Sequence, residues 1–181
     1  DLVVKVGAEG LNAPQEVSWL TGDKVATEIP DYVAKALDRM VGKWTASSNV
    51  EGKQVNLRLS MEWAIKGKTL SYQWTSGVDE VSAGSGIIGW NAKRNAVVEH
   101  EMGGDGSESF ALHKISKDGD WESPMHGTWV VDKRVVQYHL ERKFEFQNDN
   151  EWSVKFSEIR VEGKLQPDRV RKYRRQQVIE D

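Results

Sequence analysis

"VNLRLSMEWAI" (residues 55–65) decides the fold. Val55, Leu57, Leu59, Met61, Trp63 and Ile65 alternate with Asn56, Arg58, Ser60, Glu62 and Ala64. A period of two puts the first set on one face of a strand and the second on the other, so one face is buried and one is wet. Turn signals recur on both sides of this run, among them Lys66-Gly67, Gly103-Gly104-Asp105-Gly106, Asp118-Gly119 and Asp132-Lys133. They divide the chain into ten strands, at about 43–50, 53–65, 68–76, 84–91, 95–102, 107–116, 120–131, 134–146, 151–161 and 169–175. No helical period separates one strand from the next. The expected fold is therefore all-β: an antiparallel up-and-down barrel of about ten strands, closed because closure removes exposed edges.

One helix precedes the strands. Val33, Ala36, Leu37, Met40 and Val41 form an apolar stripe at helical spacing over residues 30–41. Pro30 suits the first turn and Gly42 the stop. This helix is expected to plug one end of the barrel. Residues 1–28, broken by Gly7, Gly10, Pro14 and Gly22, read as an irregular arm, and residues 29–181 as a single barrel domain.

Composition narrows the chemistry. A net charge of −3 predicts no general attraction to nucleic acid or acidic membranes. No apolar run approaches the roughly 20 residues of a membrane span. The chain has no cysteine, which excludes disulfides, thiolate catalysis and cysteine zinc sites. The start at Asp1, without Met or leader, fits an exported, periplasmic protein whose signal peptide has been removed. Eight tryptophans scattered over 181 residues suit core packing and an aromatic-lined cavity alike.

The segment "MVGKW" (residues 40–44) opens the first strand just after a helix. It resembles the Gly-x-Trp signature of lipocalins and their calycin relatives. That resemblance implies a basic residue from the last strand packed across Trp44, with Arg171 or Lys172 of "RVRKYRR" as candidates. Residues 42–175 further resemble an uncharacterised group of bacterial lipocalin-like proteins. The likeness rests on "IIGWNAKRN", with Asn91 where that group has Asp, on "GGDG", and on "VEGKLQPDRVRKYRR". These motifs are structural and transfer no catalytic residue. The nitrobindin-like barrels, another calycin-like group, bind haem through one histidine, so the resemblance also admits haem; none of this chain's histidines is matched to that role.

His100, His113, His126 and His139 lie thirteen residues apart, which is the length of a strand and its turn. A two-residue turn at Asp132-Lys133 places His126 opposite His139. Even-length turns at residues 104–105 and 118–119 place His100 opposite Ser109 and His113 opposite Pro124, and all four histidines on one face. The neighbours disagree about that face. Gln137, Glu141 and Lys143 beside His139 say water, while Ala96, Val98 and Met102 beside His100 say interior. Three readings stay open: surface histidines, a cavity residue among His100, His126 and His139 acting as a base or holding haem, and a zinc site of His113, His126 and His139 with Glu141 or Gln137 behind it.

Glu99 and Glu101 share a strand face, read as solvated. "GSGIIGW" (residues 84–90) lacks the third glycine and the helix of a dinucleotide site. Tyr72, Trp74, Trp90, Met102, Phe110 and Trp129 are mid-strand candidates for lining a cavity. The expected function is binding of a small apolar or aromatic ligand in the lumen, without a required cofactor. The alternatives are a small isomerase, cyclase or hydrolase using a cavity histidine, and a haem or metal protein.

Overall fold

The computed structural model describes residues 28–50, 53–77 and 82–176. The arm expected over residues 1–28 lies outside them, save Glu28. Strands form where alternation predicts them: β1 (Gly42–Val50), β2 (Lys53–Ile65), β3 (Thr69–Gly77), β4 (Ser82–Asn91), β5 (Ala96–Gly103), β6 (Glu108–Ile115), β7 (Trp121–Val131), β8 (Arg134–Asn148) and β9 (Glu151–Val161). Each pairs antiparallel with the next. β10 (Lys164–Leu165) adds two residues at the edge of β9. β11 (Arg169–Arg175) then pairs with both β9 and β1, which closes a ten-stranded antiparallel barrel. Among the described residues the closing ladder is short: Trp44 pairs with Arg175 and Thr45 with Arg174, and Gln176 N donates to Lys43 O at 2.8 Å.

The helix α1 (Asp31–Met40) starts where Pro30 O accepts from the N–H groups of Val33 and Ala34 at 2.9 and 3.0 Å. Its stripe of Val33, Leu37 and Met40 is buried in one core cluster with Trp44, Leu70 and Trp152. Trp44 Nε1 donates to Met40 O at 2.8 Å and Trp63 Nε1 to Asp38 Oδ1 at 2.9 Å. These bonds hold α1 to the barrel end where β1 begins and β2 ends. Among the described residues no helix is long and apolar enough to cross a membrane.

The last-strand cation across Trp44 is Arg175, not Arg171 or Lys172. Its guanidinium carbon stands 4.2 Å from the Trp44 ring centre. Nη1 donates to Val41 O at 2.7 Å and Nε to Asp149 O at 2.9 Å. Gly42 makes room for it: a Cβ there would fall 3.3 Å from Arg175 Cζ, and φ is +135°. The Gly and the Trp of "GKW" thus serve one arginine. Arg171 lies over Phe156 instead, and Lys172 is on the outer face.

Two hairpin loops overturn the expected histidine register. Gly103 N donates to Ser107 O and Ser116 N to Asp120 O, both at 2.8 Å. Each closes a three-residue loop with a left-handed glycine, Gly106 (φ +87°) or Gly119 (φ +91°). An odd loop shifts the pairing by one residue and exchanges the faces. His100 therefore pairs with Phe110, and Phe110 with His126. Asp132 and Lys133 both take positive φ in a two-residue turn, so His126 does pair with His139. His100, His126 and His139 form an exposed row outside the barrel, and His113 alone turns inward, 2% exposed.

Candidate functional site

The inward rows contain a buried charged network that includes one of the four histidines. Glu99 of β5 is 4% exposed, which corrects the solvated reading. Its Oε1 accepts from Tyr72 Oη at 2.7 Å and its Oε2 from His113 Nε2 at 3.0 Å. Arg142 Nη2 from β8 donates to the same Oε2, and also to Ser123 Oγ at 2.7 Å. Burial pulls the Glu99 carboxyl upward, but the Arg142 charge and the His113 hydrogen bond outweigh it and hold Glu99 well below the usual carboxylate range. Glu99 is an anion with three donors.

His113 is fixed as a neutral ring. Trp121 Nε1 can only donate, and it donates to His113 Nδ1 at 2.8 Å. The ring's one proton therefore sits on Nε2, facing Glu99. Burial lowers the His113 pKa further, opposed by Glu99. Both nitrogens are engaged, so this cavity histidine has no lone pair left for a proton or a metal.

Glu101, two residues along β5, differs. Tyr72 Oη lies 2.8 Å from its Oε2 as well as 2.7 Å from Glu99. A hydroxyl has one proton, and Glu99 takes it. Glu101 approaches Tyr72 best when it carries a proton of its own. Burial first, then repulsion by Glu99, raise its pKa. Tyr72 is raised by burial and by the same two carboxyls. The contact depends on Gly86, where a Cβ would lie 2.5 Å from Tyr72 Cζ and Oη. Glycine lets the Tyr72 ring lie flat on β4.

Three buried polar atoms near Glu101 have no hydrogen-bond partner: Trp74 Nε1, Ser109 Oγ and Arg142 Nε. Trp74 Nε1 stands beside the Glu101 carboxyl and Ser109 Oγ beside the Tyr138 hydroxyl, each without good bonding geometry. Burial pushes Tyr138 up to about 12. Ser109 is paired directly with Glu101 across β5 and β6.

The two ends of the lumen differ. At the α1 end Trp44, Trp121 and Trp152 are 1–2% exposed. Tyr173 stacks on Trp152 at 3.9 Å, and Trp121 on Phe144 at 4.8 Å. At the other end Leu57, Trp74, Trp129, Phe156 and Val161 are only half-buried. Trp129 stacks on Tyr138 at 4.2 Å. A separate concavity of about 770 Å³ opens on the outer wall beside Thr45, Arg58, Lys172 and Arg174.

No family model matches this chain, and neither does any curated protein.

Of the cavity candidates, Tyr72, Trp74, Trp90 and Trp129 share the inward-facing rows, with Trp90 packed toward the closed core. Met102 is 60% exposed on the outer face, and Phe110 lies on that face beside His126, ring centres 5.6 Å apart. Neither lines the lumen. His113 does not meet His126 and His139, because the wall separates them. Among the described residues no three metal-ligating side chains are grouped to hold an ion. Haem does not fit these histidines either: His113 is engaged at both nitrogens and the other three face outward.

The exposed pair is expected to be energetically quiet. His126→Ala and His139→Ala should each shift stability by no more than about 0.5 kcal/mol. Urea midpoints measure this, and a loss several times larger would reveal a structural role that the exposed pair and its 3.6 Å contact with Glu141 do not explain.

Proposed function

We propose that this chain is a calycin-like, lipocalin-like barrel that binds a small, largely apolar or aromatic molecule in the lumen, at the end away from α1. One observation carries the reading: the inward wall is filled by buried side chains under α1, whereas Trp74, Trp129 and Phe156 remain half-buried at the far end, near Glu101. Burying ligand surface against such rings is worth roughly 25 cal/mol per Å². A few buried polar groups then set orientation. Arg175 across Trp44 supports the calycin-like assignment. An enzyme built on a cavity histidine draws no support from His113, which has no free nitrogen.

Native mass spectrometry of the purified full chain tests the reading. A small molecule should travel with the folded barrel and leave on denaturation, and Nile red should bind the emptied protein with quenched tryptophan emission. Neither signal appearing would sink it.

A further inference from the structure

The buried network holds one more carboxyl than it has cations. Glu99 and Glu101 both point inward from β5, and Arg142, which faces them, spends its charge on Glu99. His113 contributes no charge, because Trp121 occupies Nδ1. Glu101 is the more accessible of the two carboxyls, half-buried where Glu99 is buried. Trp74 from β3 and Tyr138 from β8 stand near it, with Trp129 stacked on Tyr138. Directly across on β6, Ser109 is 3% exposed and its Oγ has no partner.

These groups match an ammonium. A carboxylate and a hydroxyl oxygen accept its N–H bonds, and aromatic faces favour its charge and its apolar body. An anionic head group would meet Glu101 with no unspent cation to receive it. Arg142 Nε and Trp74 Nε1 are donors, so a hydroxyl or carbonyl oxygen elsewhere on the ligand would add to the fit.

We propose, building on the lumen as the binding site, that its open end selects a small protonated amine with an apolar or aromatic body, with Glu101 as counter-ion and Ser109 Oγ as second acceptor. The groups facing Glu101 are Tyr72, Trp74, Ser109 and Tyr138, with Glu99 and Arg142 behind them. A bound ammonium favours ionised Glu101 and expels the proton held between Glu101 and Tyr72. Affinity therefore rises with pH through the titration of Glu101 and falls where the amine itself deprotonates.

Calorimetry of the full chain with three molecules of one shape tests this: 2-phenylethylamine, 2-phenylethanol and phenylacetate. The amine should bind at least about tenfold more tightly than the alcohol, and the acid most weakly. At a pH within the titration range of Glu101, in two buffers of different ionisation heat, the amine's binding enthalpy should differ through proton release and the alcohol's should not. Glu101→Gln should reduce the amine to the alcohol's affinity. The comparison of amine with alcohol on the unaltered protein decides the matter even if that variant folds poorly. Alcohol or acid binding as tightly as the amine overturns this inference and leaves lumen binding standing. No binding by any of the three overturns this inference, and lumen binding falls with it only if Nile red does not bind either.

Discussion

Arg142→Met is expected to destabilise the barrel by about 3–5 kcal/mol at neutral pH, because removing one member of a buried ion pair strands the other. Arg142 donates to Glu99 and Ser123 from within the wall, and Glu99 is fully enclosed by β-strands. Tyr72 and His113 still donate to Glu99 in the variant, but two neutral donors do not replace a cation in a buried site. The pH dependence changes sign. In the unaltered protein Glu99 is held below its unfolded pKa, so its stabilising contribution is complete above the ordinary carboxylate range and is lost as pH falls. In the variant burial lifts Glu99 above that range, so the native state takes up the proton first and gains stability as pH falls. The deficit should therefore narrow between neutral pH and about pH 5. Urea unfolding at the two pH values, followed by tryptophan emission, measures it. Glu99→Gln combined with Arg142→Met should recover most of the loss, since no buried charge then remains unpaired. A deficit independent of pH, or a double variant no better than the single one, would mean that Arg142 acts through packing alone.

Trp44→Ala is the second large effect, at about 3–5 kcal/mol. The ring is 1% exposed. One neighbour is Trp152, edge-on at 5.8 Å, another is the Arg175 guanidinium, and Nε1 anchors α1 through Met40 O. Truncation empties a large volume and frees the helix at once. Arg175→Lys separates these roles. It keeps the charge but loses the fork that reaches Val41 O and Asp149 O, and should cost about 1–2 kcal/mol with α1 still seated. Thermal unfolding of both variants checks the order; equal losses would show that the tryptophan matters mainly as a partner for the arginine.

The barrel was legible because its alternation is strict where one face is wet, as in residues 55–65. The α1 stripe and the His126–His139 pair were legible for similar reasons, periodicity in one case and a two-residue turn in the other. The interior network was not. Its visibility depends on parity, and the two loops before β6 and β7 hold three residues where even turns were expected. The Asp-Gly dipeptides at 105–106 and 118–119 were the available signal, since a glycine closing a three-residue loop takes the left-handed conformation. β5 misleads because its two carboxylates, Glu99 and Glu101, lie on the inner face, whereas Ala96, Val98 and Met102 outside look like core. Arg142 had a plainer mark. It is the one charge in the row Tyr138, Leu140, Phe144 and Phe146, and a cation interrupting an apolar face needs a buried anion.

The short closing ladder between β1 and β11 bears on how the chain folds. Each sheet contact from β1 through β9 joins consecutive strands and forms at small loop-closing entropy. Closing the ring is different, since the Arg175–Val41 bond spans 134 residues. Hairpins can therefore collect into an open, curling sheet before the ends meet, and the ring shuts late. The same economy works in reverse in the native protein. Among the described residues, the joint of the ring with the fewest ladder pairs is the first to breathe, and the arginine clasped over Trp44 is the latch that keeps a sheet of hairpins a barrel.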